Sequence, residues 1–167
     1  MSVVVENTRL QVLEVLDSVC DPEIPTISIR DLGVVRDVDV CDDSGAVLVQ
    51  VMITPTYSGC PAMQVIEQDI HEALGQVGIN HVVVKQVLYP SWTTDWITDQ
   101  GRKDLLETGI TPPACSACAE APTETGISCP RCGSENTSVL SGFGATACKA
   151  LWRCDQCLEP FDYFKPH

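Results

Sequence analysis

The sequence predicts an α+β domain of element order α-β-β-α-β, followed by a small C-terminal β-hairpin module organised by cysteines. Three observations carry this. Helix-like and strand-like periodicities alternate through the first two thirds of the chain. The ten cysteines are unevenly spread, with three in residues 1–112 and seven in residues 113–167. Charge divides at the same place: 6 basic and 17 acidic residues precede it, and 4 basic and 6 acidic follow. Thr111-Pro112-Pro113, then small, proline and acidic residues through Gly126, reads as a linker. The expected organisation is a domain over 1–112, a linker over 113–126 and a module over 127–167.

Leu10, Leu13, Leu16 with Val12, Val15, Val19 recur at helical spacing, so 7–19 is expected to be an amphipathic helix. It should stop before Asp21-Pro22, because the residue ahead of proline avoids the helical region. Val34–Val40 is β-rich, Asp42-Asp43-Ser44-Gly45 is a turn, and Ala46–Thr54 is β-rich again, with Val47, Val49, Val51 and Ile53 on one face. That is a hairpin. After Cys60-Pro61 comes a second helix with Val65, Ile66, Ile70, Ala73, Leu74 and Val77 as its apolar face. Pro61 suits the first helical position, where a missing N–H costs nothing. His81–Leu88 reads as a third strand and 98–108 as a short closing helix.

The chain has 167 residues, 44% apolar and 20% charged, enough to bury a core without disulfides. The formal net charge of −13 argues against a nucleic-acid partner, since that affinity rests on Lys and Arg neutralising phosphates. It disfavours an anionic membrane surface for the same reason. Met1 to Asn7 lacks the pattern of a secretory signal, and no run of 18 apolar residues occurs. A cytoplasmic location is expected, where clustered cysteines mean metal or redox chemistry.

Cys129-Pro-Arg-Cys132-Gly133 and Cys154-Asp-Gln-Cys157 are two C-x2-C pairs. Each presents two thiolates to one ion, and together they complete a tetrahedral structural zinc site, a zinc ribbon. A rubredoxin-like iron site and dithiol redox chemistry remain open. The intervening Gly142-Phe143-Gly144 suits a hairpin, and Trp152, Phe161, Tyr163 and Phe164 would supply a small core. Such a module buries little, so metal binding would provide much of its folding free energy. Cys115 and Cys118 form a third pair without the following glycine, either exposed thiols or two metal ligands. Cys148 reads as a buried thiol, with replacement of one of the four ligands as the alternative.

Thr54-Pro-Thr-Tyr-Ser-Gly-Cys60-Pro61 joins a strand end to a helix start. A thiol there meets the positive end of the helix dipole and free backbone N–H groups, which favour the thiolate. An ordinary buried cysteine fits equally well. Asp21-Pro22-Glu23-Ile24-Pro25 and Asp31-Leu32-Gly33 read first as turns. Cys20 and Cys41 read as packing residues, and His71 and His81 as non-ligands. Trp92 and Trp96 could stack on a ligand, but core packing is the commoner use.

Those acidic turns and Gly59-Cys60-Pro61, at these separations, resemble the MIP-type metal–sulfur cluster assembly domain. Longer stretches, Thr54–Ala62, Trp92–Trp96, Gly144–Cys154 and Glu159–Lys165, resemble a narrower family, the PaaD components of bacterial phenylacetyl-CoA epoxidases. The resemblance implies a non-catalytic accessory factor in phenylacetate catabolism. It implies iron–sulfur cluster assembly or delivery to a flavin-containing [2Fe–2S] reductase that serves a di-iron oxygenase. The alternative is a structural subunit that stabilises the oxygenase complex. Cys60 would be the functional thiol, binding iron or a cluster transiently with Asp21 and Glu23 in support. Further cluster ligands would come from a second protomer in a homodimer or from the client. Cys129, Cys132, Cys154 and Cys157 would hold zinc. Relatives end in Phe-Lys-Cys-Ile whereas this sequence reads Phe164-Lys-Pro-His167, so a terminal thiol is not expected to be essential here.

Overall fold

The computed structural model describes residues 3–43, 46–113 and 127–166. The Cys115 and Cys118 pair and nearly all of the expected linker lie outside these residues. Two compact units are present, Met1–Trp92 and Thr93–His167.

In the first unit, α1 spans Val3–Leu16. It begins four residues earlier than the periodicity indicates, and its core stripe runs through Val12 and Leu16. Leu10, expected on the apolar face, is 52% exposed because it lies off that i, i+4 stripe. The Asp-Pro segment that ends the helix forms its own small antiparallel pair, β1 (Cys20–Asp21) and β2 (Ile24–Ser28), where turn residues alone are expected. The hairpin follows as expected: β3 (Val35–Asp43) pairs antiparallel with β4 (Ala46–Ile53). Val49, Val51 and Ile53 are buried on one face of β4, as the alternation requires.

Next, α2 (Ala62–Gln76) crosses over to β5 (Val82–Gln86), which lies parallel to β4. The sheet order is β3-β4-β5. Ala62, Met63, Ile66, Ile70 and Leu74 form the buried face of α2. Val65 and Val77, expected to be apolar-face residues, are each 42% exposed at its margins. Trp92 is buried and donates its indole N–H to the Leu32 carbonyl at 3.0 Å, so it is a core residue rather than a ligand platform.

In the second unit, a 3-10 turn (Thr94–Trp96) precedes α3 (Asp99–Glu107), which Thr98 caps by accepting the Gly101 N–H at 3.0 Å. Then β6 (Ile110–Thr111), β7 (Thr137–Ser141), β8 (Lys149–Cys154) and β9 (Pro160–Phe164) form one sheet ordered β6-β9-β8-β7. The expected hairpin is the antiparallel pair β7-β8. The sheet is larger than a hairpin, because β9 adds antiparallel to β8 and β6 adds parallel to β9. Residues 93–113 therefore group with the cysteine-rich module, whereas composition places the change near 112. Backbone pairing, which leaves no compositional trace, carries that stretch across. Among the described residues no helix is long and apolar enough to cross a membrane.

Candidate functional sites

Two sets of sequence-nominated residues come together, one in each unit. In the second unit, the Sγ atoms of Cys129, Cys132, Cys154 and Cys157 all lie within 4.8 Å of one another. Cys132 and Cys154 are 3.5 Å apart, and Cys129 and Cys157 are 3.8 Å apart. Four sulfurs at about 2.3 Å from one tetrahedral ion stand about 3.8 Å from each other, so the arrangement fits zinc.

Two matching turns build the set. After Cys132 the chain turns at Gly133, with φ +73° and its N–H bonded to the Cys129 carbonyl at 2.9 Å. After Cys157 it turns at Leu158, with φ +62° and its N–H bonded to the Cys154 carbonyl at 2.9 Å. In both, the left-handed residue folds the strand end back so that two thiols face one point. Phe161 packs beside Cys129 and Cys154, with Trp152 against them. Trp152 also meets Tyr163 edge-on, ring centroids 6.1 Å apart.

The thiols are electrostatically unequal. Backbone N–H groups of Cys157 and Gln156 hold the Cys154 thiol down at about 6. The Ser134 N–H favours ionisation of Cys132, but the Cys154 sulfur and burial outweigh it and push Cys132 up to about 12. Clustered thiols resist shedding all their protons together, and a dication removes that resistance. Cys148 is buried and lies outside the set, with Thr146 Oγ1 at 3.0 Å. It is the buried thiol that its surroundings in the sequence suggest.

In the first unit, the segment after β4 leads to Cys60. Thr54 donates its N–H to the Val34 carbonyl at 2.9 Å, and the Cys60 N–H closes a turn onto the Tyr57 carbonyl at 3.3 Å. Gly59 has φ +81°, a conformation an L side chain avoids. Pro61 is the N-cap of α2, one residue before the position expected for it. The half-buried thiol thus sits at the head of the helix. The Asp21 carboxylate is buried and accepts the N–H groups of Glu23 at 2.8 Å and Ile24 at 3.1 Å. This is the turn chemistry read from the sequence, and it also holds both acids within electrostatic reach of Cys60.

One expectation is reversed at this site. The helix terminus is expected to favour the Cys60 thiolate, yet the thiol is pushed up from its ordinary value. Burial is the largest cause, and the charges of Glu23 and Asp21 add to it. The Ala62 N–H and the Tyr57 hydroxyl, which hydrogen-bond the sulfur, oppose the rise without overcoming it. Sequence reasoning misses Tyr57, although its place three residues before Cys60 on one turn is a usable signal.

The remaining nominated residues do not join either set. Cys20 is half-buried. Cys41, read as packing, is exposed because it faces outward on β3 opposite the 42% exposed Leu48. His71 and His81 are exposed on the surface.

Two family models match separate parts of the chain. Residues 9–85 match the family model described as iron-sulfur cluster assembly protein, and residues 113–165 match the PaaD zinc beta ribbon domain. The chain is 47% identical over 156 residues to the putative D component of the 1,2-phenylacetyl-CoA epoxidase of Escherichia coli, covering 93% of this chain and 91% of the relative. It is 32% identical over 91 residues to the Fe-S protein maturation auxiliary factor YitW of Bacillus subtilis, covering 54% of this chain and 85% of that protein. A crystal structure of a DUF59 domain from Bacillus anthracis superimposes with a TM-score of 0.55 at 26% identity, covering 61% of this chain and 94% of that one.

Proposed function

The chain belongs to the PaaD family of phenylacetyl-CoA epoxidase components, and from that membership we propose that it is a non-catalytic accessory factor of a ring-epoxidising monooxygenase. Its role is to assist assembly or delivery of the iron–sulfur cluster of the reductase component. The observation that carries the reading is the Cys60 turn, a half-buried thiol at a helix head flanked by Asp21 and Glu23, inside a cluster-assembly domain.

The electrostatics suit a thiol that handles iron as cargo. Burial and two nearby carboxylates disfavour a bare thiolate. The same carboxylates attract a cation, so an arriving iron turns their repulsion of the sulfur's charge into stabilisation of the ion pair. Binding then releases the Cys60 proton. A single protein thiolate leaves the other iron positions open to a client or a second protomer, which is the condition for handing the cargo on. Tyr57 and the Ala62 N–H orient the sulfur.

In the second unit, Cys129, Cys132, Cys154 and Cys157 are the zinc ligands in this reading. Four thiolates fill a tetrahedral ion, so zinc would fix the fold and take no part in chemistry. The localisation that goes with this role is cytoplasmic, alongside the reductase and the di-iron oxygenase.

The test compares reductase isolated from cells carrying the wild-type chain or Cys60→Ala. Loss of the reductase [2Fe–2S] signal in the variant supports the reading. An undiminished signal, with stable stoichiometric copurification of this chain with oxygenase subunits, favours the structural-subunit alternative instead.

A further inference from the structure

We infer that the cavity beside the four-cysteine set docks a partner protein through an arginine or lysine presented next to an aliphatic residue. The cavity has a volume of about 320 Å³ and lies wholly within the second unit. This is the lower end of the roughly 300–1,000 Å³ of ligand pockets, the size of one long side chain and its neighbour. Leu106, Pro130 and Phe161 give it apolar walls, and Glu107, Arg131 and Glu159 form its polar part.

Charge selects the occupant. Glu159 is bridged to Arg131 at 2.6 Å, with both side chains well exposed. Glu107 has no ion pair or side-chain hydrogen bond among the described residues, so the cavity carries one uncompensated carboxylate. The charged side chains of the lining, Glu107 and Glu159 against Arg131, leave a net negative charge that favours a cationic occupant over an anionic one. Arginine and lysine lay an apolar stem on apolar walls while a cationic head seeks an acid. Those are the two chemistries offered here.

The pocket shares a wall with the four-cysteine set. Cys129, Pro130 and Arg131 are its wall and also the first cysteine turn, and Pro160 and Phe161 begin β9. Docking should therefore require the metal-bound ribbon. The inference rests on that module's metal-bound reading and is independent of Cys60.

Isotope-labelled, zinc-loaded full-length protein, its metal content measured, is titrated by NMR with acetyl-Leu-Arg-Leu-amide and with acetyl-Leu-Glu-Leu-amide. The arginine peptide should saturate shifts at Gly109 and Arg131 with a dissociation constant on the order of 1 mM, and the glutamate peptide should not. Glu107→Gln should weaken binding roughly threefold, as expected of a rim charge. Arg131→Ala should tighten it by a similar factor, because Glu159 is freed for the incoming cation. A merely structural role for Arg131 would weaken binding instead. Equal response to both peptides, shifts spread without saturation over the acidic surface, or weaker binding by Arg131→Ala would overturn the inference. A protein that purifies without metal would fault the ribbon reading separately.

Discussion

Gly133 and Leu158 occupy equivalent places in the two cysteine turns, each one residue past the second thiol and each with positive φ. The first turn uses the residue suited to that conformation and the second does not. A left-handed conformation costs an L residue about 1–2 kcal/mol. No atom lies within 4 Å of a Cβ built on Gly133, so its requirement is conformational rather than steric.

Gly133→Ala is therefore expected to lower stability by about 1 kcal/mol with no packing defect. Leu158→Gly should be neutral or stabilising by up to about 1 kcal/mol, because strain is relieved and the side chain is 68% exposed. Urea unfolding of the zinc-loaded protein, followed by a signal from the second unit, checks both signs.

Metal removal should act on one unit. The second unit's small cluster is built on Cys129, Cys154 and Phe161, with Trp152 against it. Without the ion, the thiols lose what holds the turns together. A chelator, or Cys154→Ser, should abolish the near-UV signal of Trp152 while the far-UV helical signal of α1 and α2 persists. Trp152→Phe identifies which tryptophan reports. Unchanged near-UV spectra at zero metal content would show that the module folds alone.

The Cys60 thiol should alkylate more slowly than a free cysteine at pH 8, with a midpoint above the ordinary thiol value. Asp21→Asn keeps the acceptor for the Glu23 and Ile24 N–H groups but removes the charge. It and Glu23→Gln should each speed alkylation roughly twofold to fivefold by lowering the thiol pKa, where one unit is tenfold. Both should weaken iron binding, since the lost carboxylate no longer attracts the cation. Opposite signs for thiol reactivity and iron affinity distinguish this electrostatic role from unfolding. The linkage sign agrees. A thiol raised in the folded state adds stability below the unfolded-state pKa, and that contribution fades as pH climbs through the folded value. Cys60→Ser should flatten this alkaline loss.

Much of the architecture is legible in the chain. The β3-β4 hairpin announces itself by β-branched residues at every second position, Val47, Val49, Val51 and Ile53, and α2 by Ile66, Ile70 and Leu74. The four thiols are legible because C-x2-C spacing is itself a geometric statement. What eludes the sequence depends on partners distant in the chain. β6 is two residues whose pairing with β9 no local pattern encodes, and Leu10 is apolar yet outside the core stripe. At Cys60, local reasoning sees the helix dipole and N–H groups, which favour the thiolate. It does not see burial, or that Asp21 and Glu23 return to the same place, and those effects win.

Whether Cys60 serves the reductase cluster is tested most directly by the [2Fe–2S] content per flavin of the reductase. The reductase is purified anaerobically from cells producing either the wild-type chain or Cys60→Ala at equal levels. A marked fall in cluster per flavin is expected with Cys60→Ala, while the variant keeps its zinc and its fold. Equal cluster content in the two preparations would contradict the role assigned to Cys60.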